Sequence, residues 1–143
     1  MAVEPGSIDH LAQIISQVVA PSFLLGAVAG FLSMLHTRQV GVIDRIRHLN
    51  AIPADDPDRA FLKTDIARLR RRARLLSLSI FYGIASGITT TLLIIQAFAL
   101  AFLRMPHVWG TALMFILSLA LFCVALVMLV MDSFIAVTDY DHF

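Results

Sequence analysis

Charge is missing from most of this sequence. Leu11 to Leu35, Leu75 to Leu103 and Val108 to Met131 contain no Asp, Glu, Lys or Arg. Charged residues make up 15% of the 143, while 59% are apolar and the mean hydropathy is +0.84. Such a balance excludes an ordinary soluble globule, in which about 25% of residues are charged. Cysteine is nearly absent as well. The single Cys123 rules out a disulfide framework or a Cys-based metal site within one chain. Placed inside an apolar run without a charged neighbour, it reads as a buried small hydrophobe rather than an activated thiol. The five histidines (His10, His36, His48, His107 and His142) are scattered, so no three converge at metal-ligand spacing. GxSxG, a phosphate loop and a dinucleotide fingerprint are all missing. These absences argue against an enzyme and imply no cofactor and no metal.

What is present is three runs of membrane-spanning length. Leu11 to Leu35, 25 residues, reaches about 37 Å as a helix, more than the roughly 30 Å of a hydrocarbon core. Ser7 is placed to cap its start, and Pro21 in its middle cannot donate to the Gln17 carbonyl, so a kink is expected. Beyond His36 the helical rhythm persists through Val42, Ile43, Ile46 and Leu49. Pro53 and Pro57 then break it, with Asp56 and Pro57 as cap and first turn of the next helix. There Leu62, Ile66, Leu69, Ala73 and Leu76 form a second apolar seam.

The sequence therefore predicts an all-α integral membrane protein with three transmembrane helices, the first two extended into a cytoplasmic helical hairpin. The expected divisions are an N-terminus over 1–10, spans at 11–35, 75–103 and 110–131, a hairpin over 36–74, a turn over 104–109 and a partly ordered tail over 132–143. Met1 to Gly6 lacks the basic leader of a signal peptide, so the first span is expected to be retained.

Ten of the eleven Lys and Arg residues fall between the first two spans, and only Arg104 lies elsewhere. Loops with excess positive charge stay inside. The hairpin and C-terminus are thus expected in the cytoplasm of a bacterium, and the N-terminus and the Arg104 to Trp109 turn outside the inner membrane. Trp109 suits the interface and Arg104 can snorkel to water. The run RLRRRAR, Arg68 to Arg74, is better explained as a topogenic anchor beside anionic lipid than as a nucleic-acid patch. Arg68, Arg71 and Arg72 are its candidate lipid ligands, and Asp44, Asp65, Asp139 and Asp141 are candidate ion-pair partners.

Two helix faces carry further expectations. Gly26 and Gly30 in the first span, and Gly83 and Gly87 in the second, form GxxxG ladders that would meet in an antiparallel pair. Ser79, Tyr82, Gly83, Ser86, Thr90, Ala97 and Ala101 share one side of the second span, opposite a bulky side of Phe81, Ile84, Ile88, Leu92, Ile95 and Phe102. Gln13, Ser16 and Gln17, with Asp9 nearby, form a polar face on the first span that Gln96 answers on the second. Its plain explanation is hydrogen bonding between helices, and its functional one is a polar path.

The stretch SIDHLAQIISQVVAPSFLLGAVAGFLSML, the basic residues of Arg45 to Leu49 and the run RRARLLSLSI resemble a family of small bacterial three-span membrane proteins catalogued as domain of unknown function 2721. The resemblance covers most of the chain and is weakest in the tail. It implies the same topology and no activity, so no functional residue carries over from it. Two faces on a three-helix protomer leave one interface too many for packing within one chain, which a homo-oligomer would use. The leading expectation is a non-enzymatic, homo-oligomeric inner-membrane accessory or scaffold protein acting through its hairpin. The alternative is a small ion or solute channel lined by Gln13, Ser16, Gln17 and Gln96.

Overall fold

In the computed structural model, which describes residues 5–53, 55, 64–105 and 108–140, the chain forms three long helices. They are α1 (Pro5–Asn50), α2 (Ile66–Phe102) and α3 (Val108–Tyr140), and no strand occurs among the described residues. All three are long and apolar enough to cross a membrane. Helix is the form that allows this, since every backbone group of the span is then bonded within its own segment. The start of α1 at Pro5 puts proline in the first turn, where its missing N–H costs nothing, and places Ser7 inside the helix rather than at its cap. Pro21 is buried within a helix that continues past it, and the Ser22 hydroxyl donates to the Val18 carbonyl at 2.7 Å. The expected Asp56–Pro57 cap and Leu62 lie outside the described residues.

The centre of the bundle is α2, which packs on both neighbours, while α1 and α3 scarcely touch each other. Its small side is divided by chemistry. Hydroxyls face α3: Ser79 Oγ donates to the Ala125 carbonyl at 2.7 Å, and Ser86 and Ser118 exchange bonds at 2.9 and 3.0 Å, each hydroxyl to the other residue's carbonyl. Thr90 joins this pair through the Ser118 hydroxyl. In lipid such a bond is worth about 0.6 kcal/mol on average, and it depends on the backbones approaching closely. Glycines face α1: a methyl at Gly83 would meet Leu32 Cδ2 at 2.8 Å, and one at Gly87 would meet Val28 at 3.5 Å. The bulky side of α2, from Phe81 to Phe102, is exposed.

Toward the Asn50 end of α1, one buried cluster joins Leu35, Val42, Leu49 and Ile52 to Leu69 and Leu76 of α2, with Ile46, Ile66 and Ala73 against it. It is continuous with Phe31, which meets Phe122 of α3 edge-on at 5.3 Å. Two expectations are corrected. Cys123 is exposed rather than buried, because it lies off the line of Ser118, Ala125 and Asp132 that α3 turns inward. The segment after Asp132, expected to be partly ordered at most, remains helical through Tyr140.

At the other end α2 closes with Arg104 at φ 54°. The Met105 N–H reaches the Leu100 carbonyl at 3.0 Å and the Arg104 N–H reaches that of Ala101 at 3.2 Å. That is the paired bonding of a Schellman cap, whose left-handed residue is usually glycine. Arginine in this conformation carries a penalty of about 1–2 kcal/mol. Arg104→Gly is therefore expected to raise the stability of the protein in detergent by about 1 kcal/mol, read as a higher midpoint of thermal unfolding. Arg104→Ala should give no such gain.

Candidate functional site

The one acid at the end of α3's apolar run is paired with two arginines from two other helices. Asp132 is fully buried, with Arg72 Nε of α2 at 3.0 Å from Oδ1 and Arg38 Nη1 of α1 at 3.2 Å from Oδ2. Arg38 also donates to Ser133 Oγ at 3.1 Å, and nearby Gln39 Nε2 donates to Ser77 Oγ at 2.6 Å. One carboxylate thus binds all three helices in a single layer.

Its depth follows from helix length. Trp109 to Asp132 spans about 35 Å and Arg72 to Phe102 about 45 Å at 1.5 Å per residue. With the α2–α3 turn at one surface, the clamp sits near the other boundary of a core of about 30 Å. There Arg38, with 40% of its side chain exposed, keeps water while Asp132 has none. The carboxylate's two oxygens are each taken by an arginine, so the charge is paired and hydrogen-bonded where it is buried.

The opposite end, at the α2–α3 turn, opens between α1 and α3. A cleft of about 500 Å³ is lined by Gln13 and Gln17 of α1, Ala97 and Leu100 of α2, and Thr111 and Phe115 of α3, among others. The expected polar quartet is divided here. Gln13 and Gln17 line the cleft, while Ser16 is exposed outside it. Gln96 lies against the first turn of α3, its Nε2 3.2 Å from where a methyl on Gly110 would be.

The glycine ladders are divided too. Gly83 and Gly87 pack on α1, but they meet Leu25, Val28, Phe31 and Leu32 rather than its glycines. A methyl at Gly26 or Gly30 would touch nothing within 4 Å. Both sit roughly opposite Val28 round the helix, about 160–200° away at 100° per residue. The two ladders therefore do not meet in one protomer. Of the candidate lipid ligands, Arg68 and Arg71 line a second cavity of about 440 Å³ with Ile135 and Thr138, whereas Arg72 is taken by Asp132. No group of three potential metal ligands occurs among the described residues.

Three apolar helices tied at one buried carboxylate define a multi-pass α-helical membrane protein. The family model for a protein of unknown function (DUF2721) matches residues 18–142, and the chain belongs to that family. No curated protein and no solved structure matches it.

Reading the sequence for function missed Asp132, which looked like the punctuation at the end of a span. The available signal was that α3's apolar run ends in an acid at the same membrane boundary where the second span begins in arginines. Removing one member of a buried ion pair costs about 3–5 kcal/mol, and an exposed pair is worth about 0–1 kcal/mol. The ranking expected for thermal unfolding in lipid is Asp132→Ala and Arg72→Met each destabilising by about 3 kcal/mol, and Arg38→Met, intermediate because only the arginine of that pair is exposed, by about 1–2 kcal/mol. Equal effects of the two arginines would contradict this assignment.

Proposed function

We propose that this protein is a non-enzymatic, homo-oligomeric scaffold of a bacterial inner membrane, working through a cytoplasmic hairpin made of the Asn50 end of α1 and the Ile66 end of α2. The observation that carries the reading is the Arg38–Asp132–Arg72 clamp. It lies where the hairpin would leave the membrane, so that a load on either arm is transmitted to all three spans rather than absorbed by a loose joint. The excess of Lys and Arg between the first two spans puts this end in the cytoplasm, with the N-terminus outside and the C-terminus inside. Arg68 and Arg71, beside the cavity they share with Ile135 and Thr138, are the side chains that would hold anionic headgroups, each worth about 1 kcal/mol.

Assembly would use the face of α1 that the protomer leaves open. Gly26 and Gly30 present bare backbone there, with Ser22 and Ser33 exposed alongside. Close approach of a second copy would bring dispersion and weak hydrogen bonds that lipid cannot supply.

In a Cys123→Ser background, Gly26→Cys and Gly30→Cys are expected to form disulfide-linked dimers in native membranes, and Ile84→Cys on the exposed bulky side of α2 is not. Gly26→Leu should convert the oligomer to monomer in native mass measurement while changing protomer stability by no more than about 0.5 kcal/mol, as for other surface substitutions. A wild-type protein that is monomeric in lipid would end the proposal. The scaffold reading expects no conductance in planar bilayers. An ion current that Gln13→Leu with Gln17→Leu reduces would favour the channel instead.

A further inference from the structure

The cleft at the α2–α3 turn has two chemically different walls. Along α1, His10, Gln13 and Gln17 form a polar edge of about 10 Å, from seven residues at 1.5 Å each. Neither glutamine amide makes a hydrogen bond among the described residues. Pro21, buried in the same wall, has no N–H to give the Gln17 carbonyl the bond that a helix interior normally supplies. The facing wall, from Leu93, Leu100 and Phe115 with small alanines between, is apolar apart from Thr111. At about 500 Å³ the volume falls within the roughly 300–1,000 Å³ typical of small-molecule sites.

We infer that this cleft binds a neutral, single-chain amphiphile whose head carries hydroxyl groups. Neutrality follows from the lining, which holds no Lys, Arg, Asp or Glu and has His10 as its one ionisable side chain, and so offers a charged head no permanent counter-ion. The hydroxyl follows from the hydrogen-bonding inventory. The glutamine amides both donate and accept, and the Thr111 hydroxyl does the same. A hydroxyl, donor and acceptor in one group, meets all of them, whereas a bare ester or ketone only accepts and leaves the amide and hydroxyl oxygens unanswered. The chain lies against Leu93, Leu100 and Phe115. The entry level is set by Met105 and Thr111, which bracket Trp109, 83% exposed and suited to the headgroup boundary. An amphiphile in the surrounding leaflet therefore reaches the cleft sideways, between α1 and α3, without leaving the membrane.

Two lipid-soluble classes share this chemistry, the monoacylglycerols and the long-chain hydroquinones, and the test separates them. The probe is a monoacylglycerol with a photoreactive diazirine on its chain, added to the full-length protein in nanodiscs. Labelling is expected on peptides covering 10–21, 93–105 and 111–115. Ala97→Phe and Ala112→Phe, which fill the cleft from different helices, should each reduce it about tenfold, the equivalent of about 1.4 kcal/mol. Unchanged helical circular dichroism and melting would show that each variant still folds, and either variant suffices. Gln13→Leu with Gln17→Leu should weaken the monoacylglycerol about tenfold, as expected when polar contacts worth about 1 kcal/mol each are lost, and leave a diazirine alkane unaffected. Competition by unlabelled monoacylglycerol identifies the glyceride as the source, and stronger competition by a long-chain hydroquinone identifies the quinol. Labelling outside the cleft, labelling indifferent to both fillers, or equal competition by a plain alkane would overturn the proposal.

Discussion

A buried carboxylate in a lipid-facing bundle is the constraint on which the rest of this structure depends. Asp132 has no exposure, and hydrocarbon offers it no solvent, so the side chain exists there only because Arg38 and Arg72 hold both its oxygens. Since each arginine comes from a different helix, satisfying one charge fixes three helices in rotation and in depth. The small-residue face of α2 then completes the packing, with Ser79, Ser86 and Thr90 bonded to α3 and Gly83 and Gly87 closed on α1. The two ends of the bundle are unequal as a result. At the clamp the helices converge on one atom group, and at the turn α1 and α3 part to leave the cleft.

The same inequality separates two possible roles of α1. Its inward face carries the packing residues Val28, Leu35, Val42 and Leu49 and, at the turn end, the polar cleft wall. Its outward face carries Gly26 and Gly30, which nothing in the protomer covers. Ligand occupancy and self-association would thus use opposite sides of one helix and would not compete for the same surface.

The fold was legible because hydrophobic length and charge are one-dimensional signals. Three uncharged runs and a basic segment between two of them specify three spans without knowledge of their contacts, and the spacing of Val42, Ile46 and Leu49 against Leu69, Ala73 and Leu76 foretold a shared core. The choice of partner for each face was less legible. A helical wheel gives the angle between Gly26 and Gln13 but not the rotation of α1 against its neighbour. Leu32 and Val28, rather than glycine, fill the space that Gly83 and Gly87 leave, since a small surface is filled by a large side chain as readily as it meets another small one. Asp132 escaped notice because its meaning lies in matching depth across residues 94 and 60 positions away. That match is a property of how three spans line up in depth rather than of any local pattern. Arg72 was grouped with its neighbours for the same reason, and the helical turn alone decides which member of an arginine run points inward.

The claim that one carboxylate sets the geometry is tested most directly by hydrogen exchange in lipid nanodiscs, comparing the wild-type protein with Asp132→Leu. The account predicts slow exchange in the wild type across 36–49 and 66–76. In the variant, exchange in both segments should be faster by at least about tenfold, the equivalent of about 1.4 kcal/mol of local opening, while 83–93, held by the hydroxyl bonds to α3, stays protected. Unchanged protection of 36–49 and 66–76 in the variant would show that apolar packing alone holds the helices, and would contradict the account.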